Sequence, residues 1–377
     1  MAKVLFIGSC ILIFHAYIGY PLSVFLFGLI MRKGVKIAPI SSSVTVIITV
    51  YNEEKNIRRK LENTLNLKYP KEKLQIIVAS DGSMDRTNEI VHSYSTIGVE
   101  LLAIPEHRGK EQAQIAAIKL SRGEIIIFTD VAAMLEPSGL EQIISNFADT
   151  SVGCVSSEDK LAARHGKLSG ENYYLKYEML LRRLESKTGS LVGLSGSFFA
   201  IRKSICDKFY PDNDFDFKAV LATIKGGMRA VNDPKAIGYY SEASDKKQEF
   251  TRKIRTVIRG ISQFFMNLEF LNSFRYGLFS YKFFCHKLLR WLVPFFLIAF
   301  FLSSLLLAVR SVLFLVIFLS QALFYFLGAW EWRKGGASLP FYIKIPMYFL
   351  MVNAAIFIAW CQYLKGERMV IWTPTKR

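Results

Sequence analysis

Acidic side chains end three apolar runs in the first third of the chain. Tyr51-Asn52-Glu53-Glu54 follows the run 44–50, Asp81 follows the run 74–79, and Asp130 closes a third run. Runs rich in β-branched residues predict buried strands of a parallel sheet. The carboxyl ends of such strands meet at one edge, where open α/β sheets bind ligands. We therefore expect these side chains to converge, and acidic groups there suit a nucleotide.

A helix between the first two runs completes the pattern. Ile57, Leu61 and Leu65 recur at about every fourth residue, which predicts an amphipathic helix and hence a βαβ unit. Simpler interpretations of the polar clusters also exist. Asn52 and Glu53 could form a helix cap, and Asp81-Gly82-Ser83 could be an ordinary turn.

Taken together, the apolar strand, Tyr51-Asn52-Glu53-Glu54 and the later Asp81-Gly82-Ser83 with Asp85 resemble the inverting family 2 glycosyltransferases. The resemblance covers residues 44–260 and extends to membrane-bound exopolysaccharide and cellulose-synthase-like members. It implies an α/β fold of the GT-A type, a nucleotide-sugar domain with a mostly parallel sheet flanked by helices.

The resemblance also implies roles for individual residues. Asp81 would bind the uracil or ribose of the donor, and Tyr51 and Glu53 would line the base pocket. Lys110, which follows Gly109, would face the donor phosphates. The alternative for Lys110 is a solvated helix start.

Asp130 occupies the position of the family's DxD motif, whose carboxylates hold Mg²⁺ or Mn²⁺ against the donor diphosphate. This sequence reads Asp130-Val131-Ala132, so the second acid is missing. Hard divalent cations bring phosphate ligands with them, and one or two carboxylates can suffice. The resemblance thus implies a divalent cation on Asp130, bound alongside the nucleotide sugar.

An inverting transfer needs a carboxylate that takes the proton from the acceptor hydroxyl. Asn213-Asp214 matches the family's pair of acids with the first acid amidated, which assigns Asp214 as the base. Asp212 and Asp216 are near enough to be rivals. Upstream, Ser195-Gly196-Ser197 resembles the family's small-residue turn between donor and acceptor.

Arg252 and Arg255 lie about one helical turn apart, where the family often has a basic motif. They would neutralise the departing diphosphate. Processive members carry QxxRW here, but this chain lacks that Gln and Trp. The alternative is a basic helix at the membrane surface.

With 51% hydrophobic residues and a mean hydropathy of +0.26, the chain of 377 residues is too apolar to be wholly soluble. Four runs reach the length of about 20 apolar residues that crosses a bilayer. We predict an anchor at 1–31, a GT-A domain at 40–262, an interfacial amphipathic segment at 263–287, three membrane helices at 288–364 and a basic tail at 365–377.

Arg32, Lys33 and Lys36 follow the first span and, by the positive-inside rule, place the soluble domain on the cytoplasmic face of a bacterial inner membrane. Four spans then put the tail outside, although the tail carries Lys365 and Arg368. The sequence leaves the side of the tail open.

The net charge of +17 permits nucleic-acid binding, but no such motif is present. Anionic lipids and a pyrophosphate account for the charge. The five cysteines show no metal-binding spacing and indicate reduced packing residues. The expected partners are a nucleotide sugar, a lipid-linked or polysaccharide acceptor, membrane lipids and polysaccharide-assembly proteins.

The predicted function is inverting transfer from a UDP-sugar to a lipid-linked saccharide, a glycolipid or a growing polysaccharide. Two other interpretations stay open. One is a processive exopolysaccharide synthase. The other is a non-catalytic membrane partner, suggested by Ala132 and Asn213.

Overall fold

The structure is a computed structural model that describes residues 1–162, 170–206, 215–240, 246–334 and 341–368. The chain divides into two compact units. One contains Met1–Leu26, His165–Tyr177 and Asp245–Arg368, and the other contains Phe27–Arg164, Glu178–Ser244 and Met369–Arg377. We refer to them as the helical unit and the α/β unit.

The described residues form strands and helices in alternation through the α/β unit and helices alone through the helical unit. The strands are β1 (Val44–Val50), β2 (Leu74–Asp81), β3 (Val99–Ile104), β4 (Ile125–Asp130), β5 (Met134–Leu135), β6 (Val152–Leu161), β7 (Phe198–Arg202) and β8 (Arg229–Tyr240). The helices are α1 (Ala2–Phe14), α2 (Tyr20–Ile30), α3 (Ile57–Leu65), α4 (Thr87–His92), α5 (Lys110–Leu120), α6 (Gly139–Ser145), α7 (Gly170–Lys187), α8 (Lys203–Cys206), α9 (Phe215–Lys225), α10 (Lys246–Met266), α11 (Ser273–Tyr276), α12 (Leu278–Phe283), α13 (Arg290–Ala308), α14 (Val312–Lys334) and α15 (Phe341–Leu364).

The eight described strands form one sheet in the order β3-β2-β1-β4-β7-β6-β8-β5. Strand β1 runs parallel to β2 and β4, β2 runs parallel to β3, and β6 runs parallel to β8. The antiparallel strands are β7, between β4 and β6, and β5, beside β8. The predicted α/β fold with a mostly parallel sheet flanked by helices is confirmed.

The register of the central strands places two of the predicted aspartates at the same edge. Val50 pairs with Ser80 on one side of β1, and Thr49 pairs with Asp130 on the other. Neighbouring strands lie about 4.8 Å apart, so the strand ends at Asp81 and Asp130 are separated by about 10 Å.

The core of the α/β unit explains why β1 is so apolar. All seven of its residues are buried. Val46 and Ile48 belong to a cluster with Ile57 and Leu61 of α3 and with Ile143 of α6. Full burial of each aliphatic side chain contributes about 1.5–3 kcal/mol, so the cluster fixes the strands that carry the polar ends.

Four described segments are long and apolar enough to cross a membrane, as predicted: Ala2–Ile30, whose last four residues belong to the α/β unit, and Leu278–Ala308, Val312–Arg333 and Ile345–Leu364 in the helical unit. Rings of α1 pack against α13 and α14, with Phe6 at 4.8 Å from Phe300 and 5.1 Å from Phe314. Helix α10 packs on α15 through Ile261, Ile356 and Trp360.

Two boundaries differ from the prediction. The second span begins at Leu278 rather than at 288, because α12, a π-helical turn at Phe284–Leu289 and α13 run on without a break. The segment expected to be one interfacial helix is divided instead. Asn272 caps α11, and Gly277, at φ +54°, separates α11 from α12.

Candidate active site

The two sequence motifs after β1 and β2 bind each other directly. Asn52 has a φ of +51°, which turns the chain so that its N–H donates to Ser83 Oγ (3.1 Å) and its Oδ1 accepts from Met84 N–H (2.9 Å). Glu53 N–H donates to Thr87 Oγ1 (2.8 Å). Polar residues of both motifs therefore link the end of β1 to the end of β2.

Asp81 is fully buried, and its carboxylate is held by the loop that precedes α5. The N–H groups of Arg108 and Gly109 donate to its two oxygens at 2.9 and 2.8 Å. His107 Nδ1 lies 2.8 Å from Oδ2. The His107 ring in turn stacks on Tyr51, with centroids 3.9 Å apart. Asp81 thus ties the loop 107–109 to the end of β2.

Lys110 is the first residue of α5, and its side chain connects the loop 107–109 to Asp130. Its Nζ donates to Asp130 Oδ1 (2.5 Å) and to the carbonyl of Gly196 (3.4 Å). Burial of the amine lowers the pKa of Lys110, but the charges of Asp130 and Asp216 and the hydrogen bond to Asp130 outweigh it. The pKa of Lys110 is therefore raised, and the side chain is a fixed cation.

The turn Ser195-Gly196-Ser197 comes just before β7 and accepts a hydrogen bond from this cation. A Cβ atom on Gly196 would lie 2.9 Å from Asp216 Oδ2, so the missing side chain makes room for that carboxylate. Asp130 N–H donates to the carbonyl of Ser197 (3.1 Å). Asp130, Lys110 and Asp216 therefore surround one small-residue turn.

A second buried lysine lies on the other face of β4. Lys60 Nζ donates to Thr129 Oγ1 (2.8 Å) and to the carbonyl of Ala133 (2.5 Å). Burial lowers the pKa of Lys60 to about 7, and the charge of Asp130 opposes that shift. Lys60 fixes the chain on both sides of Asp130-Val131-Ala132.

Glu53 lies near these charges and is half-buried. Its Oε2 accepts from the Asn56 amide (2.8 Å). Burial raises the pKa of Glu53, the Asn56 hydrogen bond opposes this, and the charges of Asp85 and Asp130 add to it. The carboxyl of Glu53 therefore gains a proton more readily than an exposed glutamate.

The structure assembles some of the predicted residues and not others. Tyr51, Glu53, Asp81, Lys110 and Asp130 lie together at one edge of the sheet. The predicted base Asp214 lies outside the described residues, as does its rival Asp212. The remaining rival, Asp216, lies beside Gly196.

Arg252 and Arg255 lie on α10, in the helical unit. The Arg252 guanidinium binds Glu249 through two hydrogen bonds of 2.8 and 2.7 Å. Glu249 lies in the first turn of α10. The diphosphate-binding role of both arginines remains a prediction.

The described residues fit a divalent cation only in part. They contain no group of three or more His, Cys, Asp or Glu side chains placed to hold a metal. Ala132 offers no oxygen, and Asp130 Oδ1 is paired with Lys110. Asp130 can serve as one carboxylate ligand, with the other oxygens supplied by a bound diphosphate and water.

Several residues of the site were not given a role from the sequence. The sequence does give a signal for Lys60, because this charged residue occupies a core position of α3 between Ile57 and Thr64. The signal for His107 is weaker, because His is common in polar loops whatever its function. The hydrogen bonds to Asp81 from Arg108 and Gly109 come from the backbone and leave no side-chain signal.

Comparisons with known proteins agree with this geometry. Residues 45–209 match the family described as glycosyl transferase family 2. Glycosyltransferase AglE of Haloferax volcanii is 32% identical over 146 residues, 38% of this chain and 48% of the relative. Poly-β-1,6-N-acetyl-D-glucosamine synthase of Staphylococcus aureus is 27% identical over 192 residues, 49% and 46% of the two chains. The chain thus spans about half the length of these relatives.

A solved mannosyltransferase from Pyrobaculum calidifontis, in complex with GDP-Man and Mn²⁺, has the same fold with a TM-score of 0.73. Its sequence is 21% identical, and the match covers 97% of this chain and 100% of that one. Residues 45–209 therefore match glycosyl transferase family 2, within a fold that nearly the whole chain shares with that mannosyltransferase.

Proposed function

We propose that the chain is an inverting glycosyltransferase that moves a sugar from a nucleotide sugar to an acceptor at the membrane. The observation that carries this proposal is the continuous set of contacts from Asp81 through the loop 107–109 to Lys110, Asp130 and the Gly196 turn. These groups lie where open α/β sheets bind nucleotides.

The donor would lie along this edge. Tyr51 offers an aromatic face for the base, and the Asp81 region offers polar groups for the nucleoside. Lys110 offers a buried cation for the diphosphate, and a charge-assisted hydrogen bond of this kind contributes about 1.5–3 kcal/mol. The named relatives act with different sugars, so GDP-mannose and UDP-N-acetylglucosamine are the first donors to test.

In the reaction, the acceptor oxygen forms a bond to the anomeric carbon as the bond to the diphosphate breaks on the opposite face. Asp214 is the proposed base that takes the acceptor proton, and Asp212 and Asp216 are the alternatives. A divalent cation, held by Asp130 together with the diphosphate, would neutralise charge on the leaving group.

We propose a lipid-linked saccharide, a glycolipid or a growing polysaccharide as the acceptor, since four segments of the same chain can cross a membrane. Arg32, Lys33 and Lys36 favour a cytoplasmic site at the bacterial inner membrane. Arg252 and Arg255 would then neutralise the departing diphosphate.

The test uses the full chain in lipid nanodiscs, with nucleoside diphosphate release as the readout and Mn²⁺ or EDTA present. We expect release from one nucleotide sugar and its loss in Asp130→Ala. Asp214→Asn should retain donor binding without turnover. Retained turnover would move the base to Asp212 or Asp216.

The same preparation separates the open alternatives. A ladder of long products would indicate a processive synthase, whereas a single added sugar would exclude one. A chain that neither binds nor cleaves any donor, with or without Mn²⁺, would be a non-catalytic partner, and the proposed transfer would be wrong.

A further inference from the structure

A buried ion pair lies beside the Gly196 turn. Asp159 on β6 accepts a hydrogen bond from Arg182 Nη1 on α7 (3.2 Å), and the two side chains are only 8% and 15% exposed. Buried charges are costly unless each is paired and hydrogen-bonded. The remaining bonds of this pair show what it holds.

Both members of the pair bind the turn. Asp159 Oδ1 accepts from Ser195 Oγ (2.6 Å) and from Ser197 Oγ (3.3 Å). Arg182 Nη2 donates to the carbonyl of Leu194 (3.1 Å). The residues on either side of Gly196 are thus fixed by one carboxylate, and the chain entering the turn is fixed by its guanidinium partner.

The same turn also contacts the proposed donor site. The carbonyls of Gly196 and Ser197 accept from Lys110 Nζ and from Asp130 N–H, and Asp216 lies against the Gly196 Cα. A displacement of the turn would therefore move the donor groups and Asp216 relative to each other.

We propose that Arg182 and Asp159 form a positioning pair that holds the Gly196 turn, and through it Lys110 and Asp216, in the geometry needed for transfer. Neither residue touches the reacting atoms. This inference rests on the proposed function. Misplacement of reacting groups by about 1 Å costs on the order of 100-fold in rate, so the effect falls on turnover more than on donor binding.

The chain contains a matched control in the adjacent pair. Glu158 lies on the same strand and Arg183 on the same helix. They also form a salt bridge, and Glu158 is buried. Consecutive strand residues point to opposite faces, so this pair meets the Asn232 amide instead of the turn. Glu158→Gln disturbs the same two elements without releasing the turn.

The experiment compares Asp159→Asn and Arg182→Lys with Glu158→Gln in the full chain in nanodiscs. Hydrogen exchange is followed at the Ser195 and Ser197 amides, which are bonded to Ser156 Oγ and Ser195 Oγ. Kinetics are followed by nucleoside diphosphate release from GDP-mannose and UDP-N-acetylglucosamine. Ser195→Ala removes the hydroxyl that binds Asp159 and keeps the ion pair, and it is the milder variant should the others fail to fold. Its exchange is read at the Ser195 amide, because the Ser197 amide loses its acceptor.

For Asp159→Asn we expect exchange in the turn to rise at least about tenfold. We also expect kcat to fall on the order of 100-fold, with a smaller rise in the KM for donor because Lys110 keeps its hydrogen bond to Asp130. Arg182→Lys and Ser195→Ala should be intermediate, and Glu158→Gln should change neither readout.

Equal exchange in Asp159→Asn and Glu158→Gln would overturn the positioning role, and so would a loss confined to donor KM. If the native chain cleaves neither donor, the proposed function fails for those donors. The exchange comparison still decides whether the pair holds the turn.

Discussion

At the scale of single residues, the site depends on charges buried beside the strand ends. Lys110 is held as a cation by Asp130, while Lys60, on the opposite face of β4, has its pKa lowered to about 7 by burial. We therefore predict that substitution of Lys110 changes donor binding and that substitution of Lys60 changes stability.

Lys110→Met should weaken nucleotide-sugar binding by about 10- to 100-fold, because it removes the buried cation proposed to face the diphosphate. The dissociation constant, measured by calorimetry in detergent, checks this. Lys119→Met, an exposed change on the same helix, is the control. Unchanged affinity in Lys110→Met would mean that the phosphates lie elsewhere.

Lys60→Met should change the pH dependence of stability. Because its folded pKa lies below the ordinary value of about 10.4, the folded chain binds fewer protons than the unfolded chain from about pH 7 upward. The free energy of unfolding should therefore rise between the two pKa values, by at most about 1.4 kcal/mol per pH unit.

The Met side chain cannot titrate, so this rise should vanish. Thermal unfolding between pH 7 and 9 measures it, as a slope of about 3 °C per pH unit that is lost in the variant. Lys55→Met, an exposed change just before α3, should keep the native slope. Parallel curves for Lys60→Met and the native chain would contradict the assignment.

At the scale of elements, close backbone contacts position the ends of the strands. Gly82 begins the turn after β2 with φ +70°, and a Cβ there would lie 2.5 Å from His107 N and 2.9 Å from Glu106 C. Both contacts are to backbone, which cannot move aside as a flexible side chain can. The glycine is needed so that the loop can reach Asp81.

Gly82→Ala should therefore destabilise the chain by about 3 kcal/mol or more, because it adds a clash to the strain of a left-handed backbone. Gly98→Ala supplies the comparison, since Gly98 has φ +93° with nothing within 4 Å of its Cβ position. That change should cost only about 1–2 kcal/mol. Similar losses of melting temperature in both would argue against the clash.

These elements also show what the sequence could predict. The apolar runs indicated β1, β2 and β4, and parallel pairing then placed Asp81 and Asp130 at one edge. The pair Arg182 and Asp159 could not be predicted, because its members lie far apart in sequence and meet only through the packing of α7 on β6. The broken segment at Asn272 and Gly277 was missed because its aromatic composition outweighed these two breaks.

At the scale of the whole chain, the sequence identified four apolar segments and predicted their orientation, but it left open the side of the tail. Helical periodicity and hydropathy depend on local composition, whereas orientation depends on the flanking charges. The basic residues after the first span favour a cytoplasmic α/β unit, and the short link between α13 and α14 would then lie outside.

Cysteine labelling checks this topology in intact cells. In a chain whose native cysteines are replaced, Ser41→Cys precedes β1 and Ser311→Cys lies between α13 and α14; both positions are exposed. A membrane-impermeant maleimide should label the second and not the first. Labelling of Ser41→Cys from outside would reverse the proposed orientation.

The bonds that Asp81 receives from Arg108, Gly109 and His107 have one more consequence. They form within the chain itself, so the loop is ordered during folding and no entropy need be lost there when a ligand arrives. The loop should therefore present the same rigid surface to every nucleotide that binds. The dissociation rates of related nucleotides should differ more than their association rates.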